Sequence, residues 1–151
     1  MANSAGLCNS FKTDLMNGVH AFSAVTGGKV SADTFKGALY LASANITPST
    51  GSYTTSGEAS SAGYTAGGQA IPNTVAPTNG GGSTTYWTPS GSLTWSGVTI
   101  SNFDTLLIYN DTVASKNAVG VFTFLAQSIT AGTFTLTMPT NSSSTGLIRI
   151  G

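Results

Sequence analysis

Residues 34–42 read TFKGALYLA, and their alternation decides the fold class. Phe35, Gly37, Leu39 and Leu41 fall on one side of an extended chain, with Lys36, Ala38 and Tyr40 on the other. That is the period of two expected of a strand with one face on a core. Comparable short runs follow at 52–55, 69–75, 84–87, 92–95, 98–100, 106–109, 118–125, 133–138 and 147–150. Thr, Val, Ile and aromatic residues dominate them, as strands favour. The stretches TPSTGS, PTNGGGS, TPSGS, YNDT, TAGT and PTNSSSTG supply turn chemistry between them. Short strands at this spacing predict a mainly β chain, an antiparallel β-sandwich or jelly-roll-like domain, with no βαβ units.

Helical periodicity occurs once, in NSFKTDLMNGVHAF, where Phe11, Leu15, Val19 and Phe22 share a face. The expected organisation is one domain over 1–151, with a flexible N-terminus (1–9) and a helix over 10–24. Asn9 or Ser10 is expected to cap that helix, with Asp14 near the positive end of its dipole. Gly27-Gly28 is expected to end it. Gly18 costs about 1 kcal/mol relative to Ala inside a helix, so tertiary packing is expected to hold the element. Residues 76–92, APTNGGGSTTYWTPSGS, are read as one long loop within the domain.

Charged residues make up 7% of the 151 residues, against about 25% in ordinary globular chains. They are Lys12, Asp14, Lys29, Asp33, Lys36, Glu58, Asp104, Asp111, Lys116 and Arg149, and they sum to zero. Basic residues scattered singly form no nucleic-acid footprint, so no nucleic acid is expected as a partner. Near-zero net charge favours association. No run approaches the length of a membrane helix, no secretory signal is apparent at the N-terminus, and no membrane is expected as a partner. Cys8, the only cysteine, can form no intrachain disulfide, which fits synthesis in a reducing cytoplasm.

Catalytic constellations are hard to assemble from this chain. His20 is the only histidine, no G-x-S-x-G elbow presents a serine to it, and Cys8 precedes the helix in the expected flexible terminus. Asp104 and Asp111 flank TLLIY in SNFD and YNDT, where Asp is expected to close a turn on its own backbone. GGGST (80–84) lacks the lysine of a phosphate loop, and NDT falls short of a calcium loop. Three N-x-[ST] matches (at Asn45, Asn110 and Asn141) are expected by chance in so Ser/Thr-rich a chain. The expectation is a non-enzymatic protein with no catalytic, cofactor-binding or metal-ligating residue.

One further stretch, GEASSAGYTAGGQAI (57–71), is almost all small residues. Together with FKTDLMNGVHAF, DTFKGALYLASANITPST, YTTSGEASSAGYTAGGQAI, LLIYN and FTLTMPTNSSSTGLIRIG, it resembles a family of small virion structural proteins of tailed bacteriophages. The resemblance spans residues 11–150 except 76–92. It implies a β-sandwich or jelly-roll particle protein without catalytic residues, located in the virion and made in the host bacterial cytoplasm. A capsid cement or decoration protein is the first reading, and a head–tail or tail-associated component the second. The implied partners are a phage major capsid protein or other virion proteins, with a trimeric or dimeric homo-oligomer expected. Candidate protein-contact residues are Tyr64, Gly67, Gly68, Tyr86 and Trp87. Tyr64 is either a contact anchor or a turn residue packed on its own core. A receptor- or glycan-binding module, stacking sugars on Tyr86, Trp87 and Trp95, is the rival from another class.

Overall fold

The computed structural model describes residues 2–24, 31–80 and 82–151. The 34–42 alternation forms a strand, though numbering by chain order makes it the second. It follows β1 (Gly6–Leu7) and α1 (Asn9–Met16), as β2 (Phe35–Leu41). The remaining strands are β3 (Gln69–Ala70), β4 (Thr78–Asn79), β5 (Thr85–Trp87), β6 (Leu93–Asn110), β7 (Ala118–Leu136) and β8 (Ile148–Ile150). Strand accounts for 41% of the structure and helix for 6%, in antiparallel sheets, so the chain is mainly β and sandwich-like. One sheet has the order β1-β7-β6-β2-β3 and the other β4-β5-β8.

β2 is covered on both faces. Leu39 lies opposite Leu106 and Gly37 opposite Ile108, while Ala38 and Tyr40 on the other side are buried as well. The half-buried strand expected from alternation is thus an interior strand of its sheet. The expected runs at 92–95, 98–100 and 106–109 are one strand, β6, and those at 118–125 and 133–138 are one strand, β7. Turn-like residues between them are absorbed as irregularities in the β6–β7 pairing. Asn102 (φ 52°) and Ala131 (φ 44°) take left-handed conformations there. Such bulges bend a ladder without ending it, so TAGT is a kink inside β7 and not a hairpin turn. The run at 52–55 makes only an isolated bridge, Ser52 to Asn117.

The helix is shorter than the expected 10–24. It stops at Met16, because Asn17 and Gly18 turn back onto Thr13 and Leu15 and Gly18 takes φ 67°. Gly27-Gly28 lie outside the described residues. Asn9 is the first helical residue and not a cap, and Cys8 occupies the cap position with no side-chain capping bond. Asp14 sits well past the first turn, with its Oδ2 accepting from Asn117 Nδ2 at 2.7 Å. Phe22 still reaches the core beyond the helix, where it stacks on Phe35 at 4.5 Å between ring centroids.

Residues expected to be flexible at the N-terminus are tied down. Asn3 Nδ2 donates to the Leu41 carbonyl and to Asp104, and Asn3 Oδ1 accepts from Ile46 N–H. Cys8 is fully buried, its amide donating to the Val119 carbonyl. The expected long loop 76–92 contains β4 and β5, and β5 delivers Trp87 to the core against Phe22 and Phe35. A second aromatic group, Trp95, Phe103, Phe124 and Phe134, fills the space along the β6–β7 hairpin. Trp95 and Phe103 are fully buried, and each such ring contributes roughly 1.5–3 kcal/mol.

Candidate functional site

The small-residue stretch 57–71 is a strap along the outer edge of β2. Leu41 N–H donates to the Gly57 carbonyl, Ala59 N–H to the Leu39 carbonyl and Ile71 N–H to the Phe35 carbonyl. Between these, β3 pairs Gln69 and Ala70 with Gly37 and Lys36. Gly68 (φ 72°) lies so close to β2 that a Cβ there would fall 1.9 Å from the Gly37 carbonyl oxygen. The absence of side chains is what lets this backbone lie on its neighbour.

Glu58 fastens the strap. Its Oε2 accepts from Tyr53 Oη at 2.6 Å, and its Oε1 accepts from Tyr64 Oη at 2.8 Å and from Gly67 N–H at 2.7 Å. Tyr64 Oη in turn accepts from Leu39 N–H at 3.0 Å. Tyr109 Oη donates to the Gly67 carbonyl at 2.7 Å, and its ring stacks on Tyr53 at 4.8 Å. Burial, and then the neighbouring Glu58, push the Tyr53 phenol up to about 12. Tyr40, Tyr64 and Tyr109 are also raised, each first by burial. Protonated phenols packed on a carboxylate are donors, so this cluster acts as a clamp.

The five candidate contact residues therefore fall in two places. Tyr64, Gly67 and Gly68 belong to the clamp, with the Tyr64 hydroxyl directed inward. Tyr86 and Trp87 lie on β5 in the smaller sheet. Tyr86 is half-buried. Trp87 is only 2% exposed, and its Nε1–H donates to the Val75 carbonyl at 2.9 Å, so it is a core residue and not a loop anchor. Trp95 is 1% exposed. Neither tryptophan has a face open for a sugar to stack on.

His20 is buried among Phe11, Phe22 and Phe35. Asn110 Nδ2 approaches His20 Nδ1 at 3.1 Å and donates to Asp33 Oδ2 at 2.8 Å, while Asn110 Oδ1 accepts from Thr112 N–H. With Asn110 donating to Nδ1, the imidazole proton belongs on Nε2, 3.7 Å from Asp14 Oδ2. Asp33 also accepts from Ala21 N–H at 2.7 Å. The group pins the post-helix segment to the end of β6. Burial pushes the Cys8 thiol up to about 11, away from reactive thiolate chemistry.

Asp104 and Asp111 do not close turns on their own backbone. Asp104 lies within β6 and accepts from Asn3 Nδ2 and Thr105 Oγ1. Asp111 is bracketed by Lys36 at 3.1 Å and by Lys116. Burial works to raise the Asp111 carboxyl, but the two lysines outweigh it and hold it below the usual range. Among the described residues, no group of three or more His, Cys, Asp or Glu is placed to hold a metal ion. No described helix is long and apolar enough to cross a membrane.

One juxtaposition escapes sequence reasoning. Lys12 and Arg149, near opposite ends of the chain, line a single cavity of about 620 Å³ with Leu7, Phe11, Leu15 and Ile150. Only the fold could bring them together, since β8 must first join the smaller sheet beside α1. No family model, no curated protein and no solved structure matches the chain.

Proposed function

We propose that this protein is a non-enzymatic structural component of a tailed-bacteriophage virion, in the first instance a capsid cement or decoration protein. One observation carries the non-enzymatic part of the reading: all five acidic side chains have partners inside the fold. Asp14 accepts from Asn117, Asp33 from Ala21 and Asn110, Glu58 from Tyr53, Tyr64 and Gly67, and Asp104 from Asn3 and Thr105, while Asp111 pairs with two lysines. Acid–base catalysis needs such groups near a substrate and free to exchange protons. Here they serve the fold. Residues 117–148 carry no charged side chain at all, and a neutral β surface of that length suits dense packing in an assembly better than life as a dispersed monomer.

A head–tail or tail-associated position is the same kind of role at another place on the particle. The test is co-sedimentation of the purified protein with heads and with tails of the encoding phage, alongside sedimentation analysis of the protein alone. Saturable binding to heads, with a defined dimer or trimer in solution, is expected. Binding to tails alone moves the protein to the second position. A concentrated monomer that binds neither particle overturns the reading.

A further inference from the structure

β1 closes one edge of the larger sheet and β8 one edge of the smaller. Among the described residues each pairs with a single strand, β1 with β7 and β8 with β5. A cavity of about 360 Å³ touches both: Gly6 and Leu7 line one side, Leu147 and Arg149 the other, and Phe122 also borders it. It shares Leu7 and Arg149 with the 620 Å³ cavity whose remaining lining includes Leu15, Met16 and Lys12. The three large hydrophobic side chains most exposed among the described residues are Met16, Leu125 and Ile150. Two of them border this groove. β1 is two residues long, and the flanking amides of Ser4 and Asn9 donate to the Ile46 and Pro48 carbonyls. The open edge beside this apolar trough is therefore that of β8, a geometry in which an extended peptide adds as a strand.

Charge narrows the occupant further. Of the described cations, Lys36 and Lys116 are paired with Asp111. Arg149 donates only to the Ser144 carbonyl, and neither it nor Lys12 is paired with an acidic side chain. Both unpaired cations line the groove. Each acidic side chain of a second copy already has a partner within its own fold, so a different molecule is the readier source of the carboxylate. A fatty acid would supply one, yet it would leave the backbone edge of β8 unpaired.

We propose that this groove binds an extended, acidic segment of another protein. The segment lies between β1 and β8, pairs with the open edge of β8, sets alternate apolar side chains against Leu7, Leu15 and Ile150, and offers a carboxylate to Lys12 and Arg149. The proposal does not rest on the virion reading, and its test involves no particle.

The experiment pans the full-length protein with a random nonapeptide display library, then measures one recovered peptide by fluorescence anisotropy. Recovered peptides are expected to combine alternating apolar residues with Asp or Glu. Lys12→Glu with Arg149→Glu should weaken binding by about tenfold or more and leave the unfolding midpoint unchanged. Lys12→Gln with Arg149→Gln serves if charge reversal disturbs the fold. N-methylation at alternate peptide residues should abolish binding, because it removes the donors a strand needs. The proposal is overturned if no acidic peptide is recovered or if the double variant binds as well as wild type. It is equally overturned if the N-methylated peptide binds unchanged, which would mark a site for apolar anions. Wild-type self-association that disappears in the double variant would make the occupant a second copy, and overturns it too.

Discussion

Gly68 crosses β2 so closely that any Cβ it carried would stand 1.9 Å from the carbonyl oxygen of Gly37. No rotamer relieves that overlap, because the backbone alone fixes where a Cβ stands and the oxygen is itself backbone, and φ 72° adds strain for any other residue. Gly68→Ala should therefore cost more than about 3 kcal/mol, and Gly67→Val with Gly68→Val should prevent folding. Chemical denaturation followed by circular dichroism reads this directly. A wild-type midpoint for Gly68→Ala would show that the strap can lift off β2 at little cost. The Gly67-Gly68 pair is thus a packing requirement of the sheet edge.

The same strap depends on Glu58. Glu58→Ala leaves the Tyr53 and Tyr64 hydroxyls and the Gly67 amide without their acceptor. Partly buried donors orphaned in this way should cost about 2–4 kcal/mol together. Hydrogen exchange at Gly67 is the specific readout, and its protection should fall more than that of β6 amides such as Leu107. Unchanged exchange at Gly67 would mean that the carboxylate does not hold the strap.

How much of this was legible beforehand depended on whether the deciding contact was local. The β2 alternation is local, and it marked both the strand and the β class. Strand ends at 95–98 and 129–133 were not legible, because a bulge and a turn draw on the same residues and only the partner strand distinguishes them. The Phe11, Leu15, Val19, Phe22 periodicity ran past the true helix end because Phe22 keeps its core contact without helical backbone. Gly18 was the available signal, and it was read as a cost within the helix when it is the stop. Trp87 ends the expected strand run 84–87, yet it sits among Gly, Thr and Ser inside the stretch read as a loop. Its burial comes from Phe22 and Phe35, far away in sequence. The clamp is half legible: Tyr64, Gly67 and Gly68 are among the candidate contact residues, but their partners Glu58, Tyr53, Tyr109 and Leu39 are set by the fold.

Alkaline pH should loosen the strap. Tyr40, Tyr53, Tyr64 and Tyr109 titrate above the unfolded value near 10. Their contribution is complete below that pH and is lost as pH rises toward the folded values, because only the unfolded chain ionises readily there. Phenolate absorbance should show these tyrosines ionising late and cooperatively, together with loss of structure. Glu58→Ala should bring Tyr53 and Tyr64 down toward ordinary values. Independent titration of all the tyrosines near pH 10 in the folded wild type would contradict the packing.

Acid should act at Asp111. Its folded value is depressed by Lys116 and Lys36 against the opposing effect of burial, so its stabilisation is present above the unfolded value of about 4. That stabilisation is lost as pH falls from there through the folded value. The stability difference between wild type and Asp111→Asn should be constant near neutrality and shrink below about pH 4. A difference that does not vary with pH would mean that the lysines do not act on Asp111 through charge.

The final expectation concerns Asn110, which is buried at the end of β6 with both its side-chain nitrogen and its side-chain oxygen hydrogen-bonded. Its amide nitrogen serves Asp33 at 2.8 Å and His20 at 3.1 Å, and its oxygen accepts from Thr112 N–H. Asn110→Leu keeps the number of side-chain heavy atoms but removes a donor from a buried carboxylate, and it sets a bulkier apolar group against the imidazole. Removing one partner from a buried charged group costs about 3–5 kcal/mol, much of it the penalty of the charge left behind. Asn110→Asp should be worse, since it places a second carboxyl beside Asp33. Asp33→Asn combined with Asn110→Asp restores one donor and one acceptor in exchanged positions and should recover part of the loss. That recovery separates a hydrogen-bond role from mere packing, because packing alone predicts that the double variant adds the two single losses. Denaturant midpoints of the three variants decide the matter: additive losses would refute the network, and partial rescue would establish that this polar group joins the post-helix segment to the sheet.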